Sequence, residues 1–162
     1  MAEWLETVGR MVLAALLGGI IGWEREVHEK PAGLRTLMLV SLAAAIYVIA
    51  AQGAAQAHQE ALDSVRAMTG VAQGIGFLGA GVILQSRRKV LWLTTAAALW
   101  AAAALGLSAG LGMYTVAIVG GLLVFVILRW LPIAEDRWIR REASVSPEND
   151  GESQEAEEGG PE

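Results

Sequence analysis

The charged and hydroxyl side chains of one short segment are the first candidates for chemistry in this sequence. They lie between two apolar segments and are Glu24, Arg25, Glu26, Lys30, Arg35 and Thr36. Glu24 or Glu26 could pair with Arg25 or Arg35 of a neighbouring helix, and the pairs would then form a binding or docking surface. The alternative is a loop of solvated ion pairs that only anchors the chain at a membrane surface.

Two further polar groups occur later in the chain. Asp63 and Arg66 are three residues apart, which predicts either a local ion pair at the start of a helix or an entry site for a cation. Thr94 and Thr95 are predicted in a membrane helix, where threonine hydroxyls bond to the preceding turn or to a neighbouring helix. Gln73 lies in another apolar segment and needs a hydrogen-bonding partner, for which Thr94 or Thr95 is the candidate.

These residues do not make up a catalytic or cofactor-binding set. His28 and His58 are predicted on opposite sides of a membrane, so no nucleophile and base can be paired through them. The chain has no cysteine and no phosphate-binding P-loop motif. Glu24 and Asp63 alone are weak evidence for a magnesium site, because Mg²⁺ needs a cluster of oxygen ligands. We therefore expect a protein that is not an enzyme and has no cofactor.

A glycine-rich run without charges, residues 67–86, dominates the middle of the chain. Its spacing Gly74-x-Gly76-x-x-Gly79 matches a dinucleotide-binding fingerprint, but that motif has meaning only between a strand and a helix. The run has about the ~20 residues of a membrane-spanning helix. Small residues four apart let membrane helices approach closely. The glycines predicted to pack helices are Gly18, Gly22, Gly74, Gly76, Gly79 and Gly81.

Composition favours an integral membrane protein that is entirely α-helical. The chain is 54% hydrophobic and only 18% charged, whereas charged residues usually make up ~25% of a soluble domain. The sequence predicts a bundle of about five transmembrane helices within residues 1–133. These spans are residues 8–23, 34–51, 67–86, 90–107 and 113–130. Residues 134–162 are predicted to form a short interfacial segment followed by a disordered acidic tail.

The distribution of charge predicts how the chain crosses the membrane. Residues 1–141 contain 12 basic and 9 acidic residues (+3), and residues 142–162 contain 8 acidic residues and no basic ones (−8), which gives the net −5. Most basic residues fall in the loops on one side of the predicted membrane, whereas Arg10 and Arg66 fall on the other. The positive-inside rule then places the N-terminus outside and the C-terminus in the cytoplasm. No clustered basic face suggests nucleic-acid binding.

Several of these motifs together resemble the MgtC/SapB family. The matching stretches are Gly22-x-Glu24-Arg25-Glu26, Lys30-x-Ala32-Gly33-Leu34-Arg35-Thr36, Arg66, Gly74-Ile75-Gly76-Phe77-Leu78-Gly79-Ala80-Gly81, and Leu93-Thr94-Thr95-Ala96-Ala97 with Trp100. They occur in the family's order over residues 10–130. The sequence departs from the family at Leu37, Gly70, Gln73 and Leu91-Trp92. Many members also have a soluble C-terminal domain, where this sequence has an acidic segment.

The resemblance implies a multi-pass protein of the bacterial inner membrane. It implies a role in growth under magnesium limitation and in survival inside host cells. Family members associated with virulence are thought to restrain the proton-translocating ATP synthase. We therefore expect a regulator that acts through another membrane complex. The alternative is a small oligomeric transporter or channel for Mg²⁺ or another cation, with Glu24 and Asp63 at its opposite mouths.

Overall fold

The described part of the chain is almost entirely helical. The computed structural model describes residues 2–58, 64–84 and 91–143, and no strand occurs within them. The helices are α1 (Ala2–Val27), α2 (Leu34–His58), α3 (Ser64–Leu84), α4 (Leu93–Gly110) and α5 (Tyr114–Ala143). The prediction of an all-α protein is therefore confirmed. Asp63 and the predicted acidic tail from residue 144 onward lie outside the described residues.

The core of the first of two units, residues 1–128, forms where α1, α2 and α4 meet around Ser41. Ser41 is fully buried, and its hydroxyl donates a 2.7 Å hydrogen bond to the backbone carbonyl of Ala14 on α1. A Cβ atom on Gly18 would lie 2.7 Å from Ser41 Cβ, and one on Gly106 would lie 2.9 Å from Ser41 Cα. Both glycines are required because the three backbones approach too closely for any side chain.

The other two helices pack on the outside of this core. On α3, Ile75 is buried, and a Cβ atom on Gly79 would meet Ala96 of α4 at an ordinary 3.6 Å. The part of α5 within the first unit places Gly121 against Leu17 of α1, with 3.0 Å from an added Cβ atom to Leu17 Cδ2. The second unit, residues 129–162, is described as far as Ala143, which is the end of α5.

Large apolar side chains cover the outside of the first unit, while its buried core combines alanines with leucine, isoleucine and valine. One exposed stripe on α1 repeats every three or four residues: Leu5, Val8, Val12, Leu16, Ile20, Trp23 and Val27. A similar exposed set on α5 is Val116, Val119, Leu122, Leu123, Val126 and Ile127. Water-soluble monomers rarely expose apolar surface of this extent. The surface therefore fits lipid rather than water.

Four helical segments are long and apolar enough to cross a membrane. They are Glu3–Val27, Leu34–Gln56, Leu93–Gly110 and Tyr114–Pro132. They correspond to four of the five predicted spans, and together with the outward apolar surface they indicate a multi-pass membrane protein. The side chains of α3 are described only from Val65 to Ile83. That stretch includes Arg66 and Gln73. The span predicted at residues 67–86 remains a prediction.

The predicted role of the glycines holds for only some of them within this chain. Gly18 and Gly22 make close backbone contacts with α2, as their spacing predicted. Cβ atoms added to Gly74, Gly76 or Gly81 would meet nothing within 4 Å. Of the four predicted glycines of α3, only Gly79 is therefore packed against another described helix. Residues 134–142, which the sequence predicted as a short interfacial segment, lie within α5.

Gly106→Leu should unfold the bundle much more readily than Gly76→Leu. The first substitution forces α4 away from the Ser41 backbone and should cost about 3 kcal/mol, as overpacked sites do. The second adds a side chain where the described chain offers open space. The midpoint of thermal unfolding in detergent micelles measures the difference. Equal midpoints for the two variants would contradict the packing described around Ser41.

Candidate functional site: a buried polar cluster at the α1–α2 loop

The loop between α1 and α2 is held by its own polar groups. Helix α1 ends at Val27. The Glu29 amide donates a hydrogen bond to the Glu26 carbonyl, and the Lys30 amide donates one to the Arg25 carbonyl, both at 3.0 Å. The Glu26 carboxylate then accepts a 2.7 Å hydrogen bond from the Leu34 amide, which opens α2. Glu26 therefore caps the start of α2, as carboxylates do at helix N-termini.

Two glycines allow this loop to close against the helices. A Cβ atom on Gly22 would lie 2.6 Å from the Cα of Leu34, so only glycine lets the end of α1 meet the start of α2. A Cβ atom on Gly33 would collide with the Glu26 carboxylate. The segment from Gly22 to Thr36 thus forms a compact connection between α1 and α2. Glu26 and the two glycines each have a structural role in it.

Arg25 joins this turn to the first turn of α4. Its side chain is only 4% exposed, and its Nη2 donates a 2.7 Å hydrogen bond to Oγ1 of Thr95, which is fully buried. Its Nε is buried and has no hydrogen-bond partner among the described residues. The sequence offered Thr94 or Thr95 as a candidate partner for a buried Gln73. Gln73 is instead exposed on α3, and the Thr95 hydroxyl accepts its hydrogen bond from Arg25.

Glu24 is equally buried, at 4% exposure, and lies beside His28. Oε1 of Glu24 is 3.2 Å from Nδ1 of His28, and the Glu24 carbonyl oxygen is 2.7 Å from the same nitrogen. Because both neighbours are acceptors, we expect the ring to carry a proton on Nδ1. The second carboxylate oxygen, Oε2, is buried without a partner in the described part of the chain. It is the most exceptional acceptor in the cluster, since buried polar atoms are nearly always paired.

A second contact holds the start of α4 against the loop. The Lys30 ammonium lies 5.8 Å from the centroid of the Trp92 ring, within the range of a cation–π interaction. Trp92 precedes α4 with a φ of 70°, a left-handed conformation that costs energy for a bulky residue. Sequence analysis missed this role of Trp92, and nothing in the sequence signals a left-handed tryptophan.

The other predicted polar residues do not join the cluster. Arg35, Thr36, Arg66 and Thr94 are exposed, as is Gln73. No group of three or more His, Asp or Glu residues that could hold a metal ion occurs within the described ranges. The candidate site is therefore limited to Glu24, Arg25, His28 and Thr95, with the loop that positions them.

A third polar contact, also missed from the sequence, lies at the opposite end of the helices. Nη1 of Arg10 donates to the side-chain oxygen of Gln52 at 3.4 Å and to the Gly110 carbonyl at 3.2 Å, and Arg10 also forms an ion pair with Glu6. Arg10 thus connects α1 with the ends of α2 and α4. The predicted orientation assigned Arg10 only to the outer side of the membrane.

Thr95→Val should destabilise the fold, whereas Thr94→Val should not. The first substitution conserves shape but leaves a buried guanidinium N–H without its acceptor, which costs about 1–3 kcal/mol. Thr94 is in the same helical turn and exposed, so it is a matched control. Equilibrium unfolding in mixed detergent micelles measures both. An unfolding free energy that is the same for the two variants would contradict the role given to the Arg25–Thr95 bond.

A family model and several known proteins match most of this chain. The model of the MgtC family matches residues 11–137. An uncharacterized protein of Haemophilus influenzae is 35% identical over 140 residues, which are 83% of this chain and 58% of that protein. Protein SrpB of Synechococcus elongatus is 35% identical over 164 residues and 90% of each chain. The "Putative magnesium transporter YhiD" of Escherichia coli K12 is 39% identical over 127 residues, 76% of this chain and 59% of its own length.

Two of these relatives are much longer than the region that matches this chain. The chain spans just under three fifths of the Haemophilus and Escherichia relatives, at 58% and 59% of their lengths. No solved structure matches the chain. The family model nevertheless covers the whole candidate site, from the end of α1 to the first turn of α4. The chain belongs to the MgtC family.

Proposed function

We propose that this chain is a non-enzymatic regulator in the bacterial inner membrane, linked to magnesium limitation, which acts by binding another membrane protein complex. The link to magnesium comes from the family and from the name of the Escherichia coli relative. The family resemblance suggests the proton-translocating ATP synthase as the partner complex. The cytoplasmic side of the protein is the one that carries the α1–α2 loop, by the distribution of basic residues.

One observation carries this proposal: an open apolar groove between α2 and α3. The groove has a volume of about 600 Å³ and is lined almost entirely by apolar atoms. Its floor contains small residues on both helices, which are Ala43, Ala44, Ala67, Gly70 and Gly74. Cβ atoms added to Gly70 and Gly74 would meet nothing within 4 Å. These two glycines are four residues apart, the spacing that lets a neighbouring membrane helix approach closely.

The charge distribution along the helices supports a binding role over an ion pathway. Asp, Glu, Lys, Arg and His are absent from residues 11–23, 36–57, 67–83, 93–110 and 115–128. Ion pathways through membranes normally contain such residues, which are costly there and are kept for function. The polar groups of this protein are instead concentrated at the two ends of the helices. A helix of a partner protein in the α2–α3 groove needs no charge at membrane depth.

Site-specific photo-crosslinking in native membranes tests the groove. Tyr47 lines it, and replacing Tyr47 with benzoylphenylalanine should crosslink a distinct membrane protein. Phe77 is 80% exposed on α3 outside the groove, and the same replacement there is the matched control. Gly74→Leu should fill the groove and lower the Tyr47 crosslink about tenfold, the effect of ~1.4 kcal/mol. A crosslink only to lipid or to a second copy, or one of equal yield from position 77, would contradict the proposal.

The buried carboxylate of Glu24 favours one alternative, a transporter for a divalent cation. Its Oε2 is unpartnered among the described residues, and carboxylate oxygens are the ligands that Mg²⁺ prefers. A complete site would need more ligands than the described residues bring together. We therefore rank transport second.

Magnesium flux into sealed liposomes that contain the purified chain tests this alternative. We expect no flux above that of empty liposomes, and no difference between the wild type, Glu24→Gln and the exposed-site control Glu3→Gln. Folded protein in the liposomes is verified by circular dichroism. Flux that requires Glu24 but not Glu3 would replace the regulator proposal with transport.

A further inference from the structure

A second apolar groove, distinct from the α2–α3 groove, lies between α1, α2 and α5 near the end of α1. It has a volume of about 400 Å³ and almost no polar lining. Gly19 and Ala15 of α1 form its floor, Leu34 and Met38 of α2 form one wall, and Phe125 of α5 forms the other. The lining residues all belong to the first unit of the chain.

The length of this groove corresponds to one leaflet of a bilayer. Its α1 side extends from Ala15 to Trp23, which is ~12 Å at ~1.5 Å per residue. Half of the ~30 Å hydrocarbon core is ~15 Å. A partner's transmembrane helix would need a groove through the full thickness. A single acyl chain needs only the leaflet.

The groove ends at residues that suit the headgroup level of a membrane. Trp23 is 65% exposed at its end, and tryptophan is enriched at the boundary between lipid and water. Leu34 opens α2 at the same end, and the next residue is the exposed Arg35. An acyl chain in the groove would therefore place its headgroup beside Arg35.

One exposed basic residue at this end, Arg35, can bind a headgroup with a negative charge. Arg35 makes no ion pair or hydrogen bond with any residue in the described part of the chain, so its guanidinium is available. Two neighbouring groups of the loop are already engaged: Arg25 donates to Thr95, and Glu26 accepts from the Leu34 amide. Because Glu26 already takes that amide, the positive charge that a phosphate would meet is that of Arg35 rather than the first N–H of α2.

We propose that this groove and Arg35 bind a phospholipid with an anionic headgroup, its acyl chain between α1, α2 and α5 and its phosphate on Arg35. The site is separate from the partner groove of the proposed function, and neither depends on the other. The recognised chemistry is a phosphate joined to a hydrocarbon chain. Free phosphate shares only the headgroup, which lets an experiment separate the two sources.

Native mass spectrometry of the full chain released from detergent micelles tests this site. Phosphatidylglycerol and phosphatidylcholine with identical acyl chains are the probes. We expect the wild type to retain phosphatidylglycerol about fivefold more than phosphatidylcholine, the factor that one basic residue supplies near an anionic surface. Arg35→Gln should remove that preference. Arg66→Gln, which neutralises an exposed arginine on α3, should keep it.

A second variant tests the groove independently of the charge. Ala15→Phe fills the floor and should lower retention of both lipids about fivefold, with circular dichroism and the elution volume verifying its fold. The proposal is overturned if the wild type retains both lipids equally, if Arg35→Gln keeps the preference, or if folded Ala15→Phe binds lipid like the wild type. Displacement of phosphatidylglycerol by millimolar inorganic phosphate would also overturn it, in favour of a site for free phosphate.

Discussion

The close approach of three helix backbones at Ser41 is the constraint on which the rest of the structure depends. Glycines at 18 and 106 permit it, and the Ser41 hydroxyl satisfies the Ala14 carbonyl on α1. In lipid, apolar side chains gain little by leaving the membrane for the protein interior, so close packing and hydrogen bonds must hold helices together. Glycine, alanine and serine at the closest contacts follow from this condition.

The polar residues are arranged around this tightly packed centre rather than within it. One group, Glu24, Arg25, His28 and Thr95, lies where α1, the following loop and α4 meet, and Arg10 connects the helices at their other end. Burial makes the Arg25–Thr95 bond in particular costly to break, because an unpaired polar group cannot find water there. The bundle is therefore fixed at both ends by polar bonds and at its middle by close packing. Binding surfaces between these levels can stay wholly apolar.

The sequence was sufficient to predict where most helices lie but not which residues they bring into contact. Long uncharged runs identified the spans, because a membrane helix must be apolar over its whole length. Spacing alone treated Gly18 and Gly74 alike, yet only Gly18 meets another helix, since the sequence does not say which face is covered. The Arg25–Thr95 bond joins residues 70 positions apart and depends on the rotation of two helices. The choice of Thr95 over Thr94 therefore lay beyond the sequence.

The distance along the chain between Arg25 and Thr95 has a consequence for biosynthesis. At ~5–20 residues per second, Thr95 is made several seconds after Arg25. During that interval the guanidinium cannot have its final acceptor, and the α1–α2 hairpin must hold it near the membrane surface, in contact with water or lipid headgroups. Arrival of α4 then draws Arg25 into the interior. The buried hydrogen bond of Arg25 therefore forms only after α4 has entered the membrane.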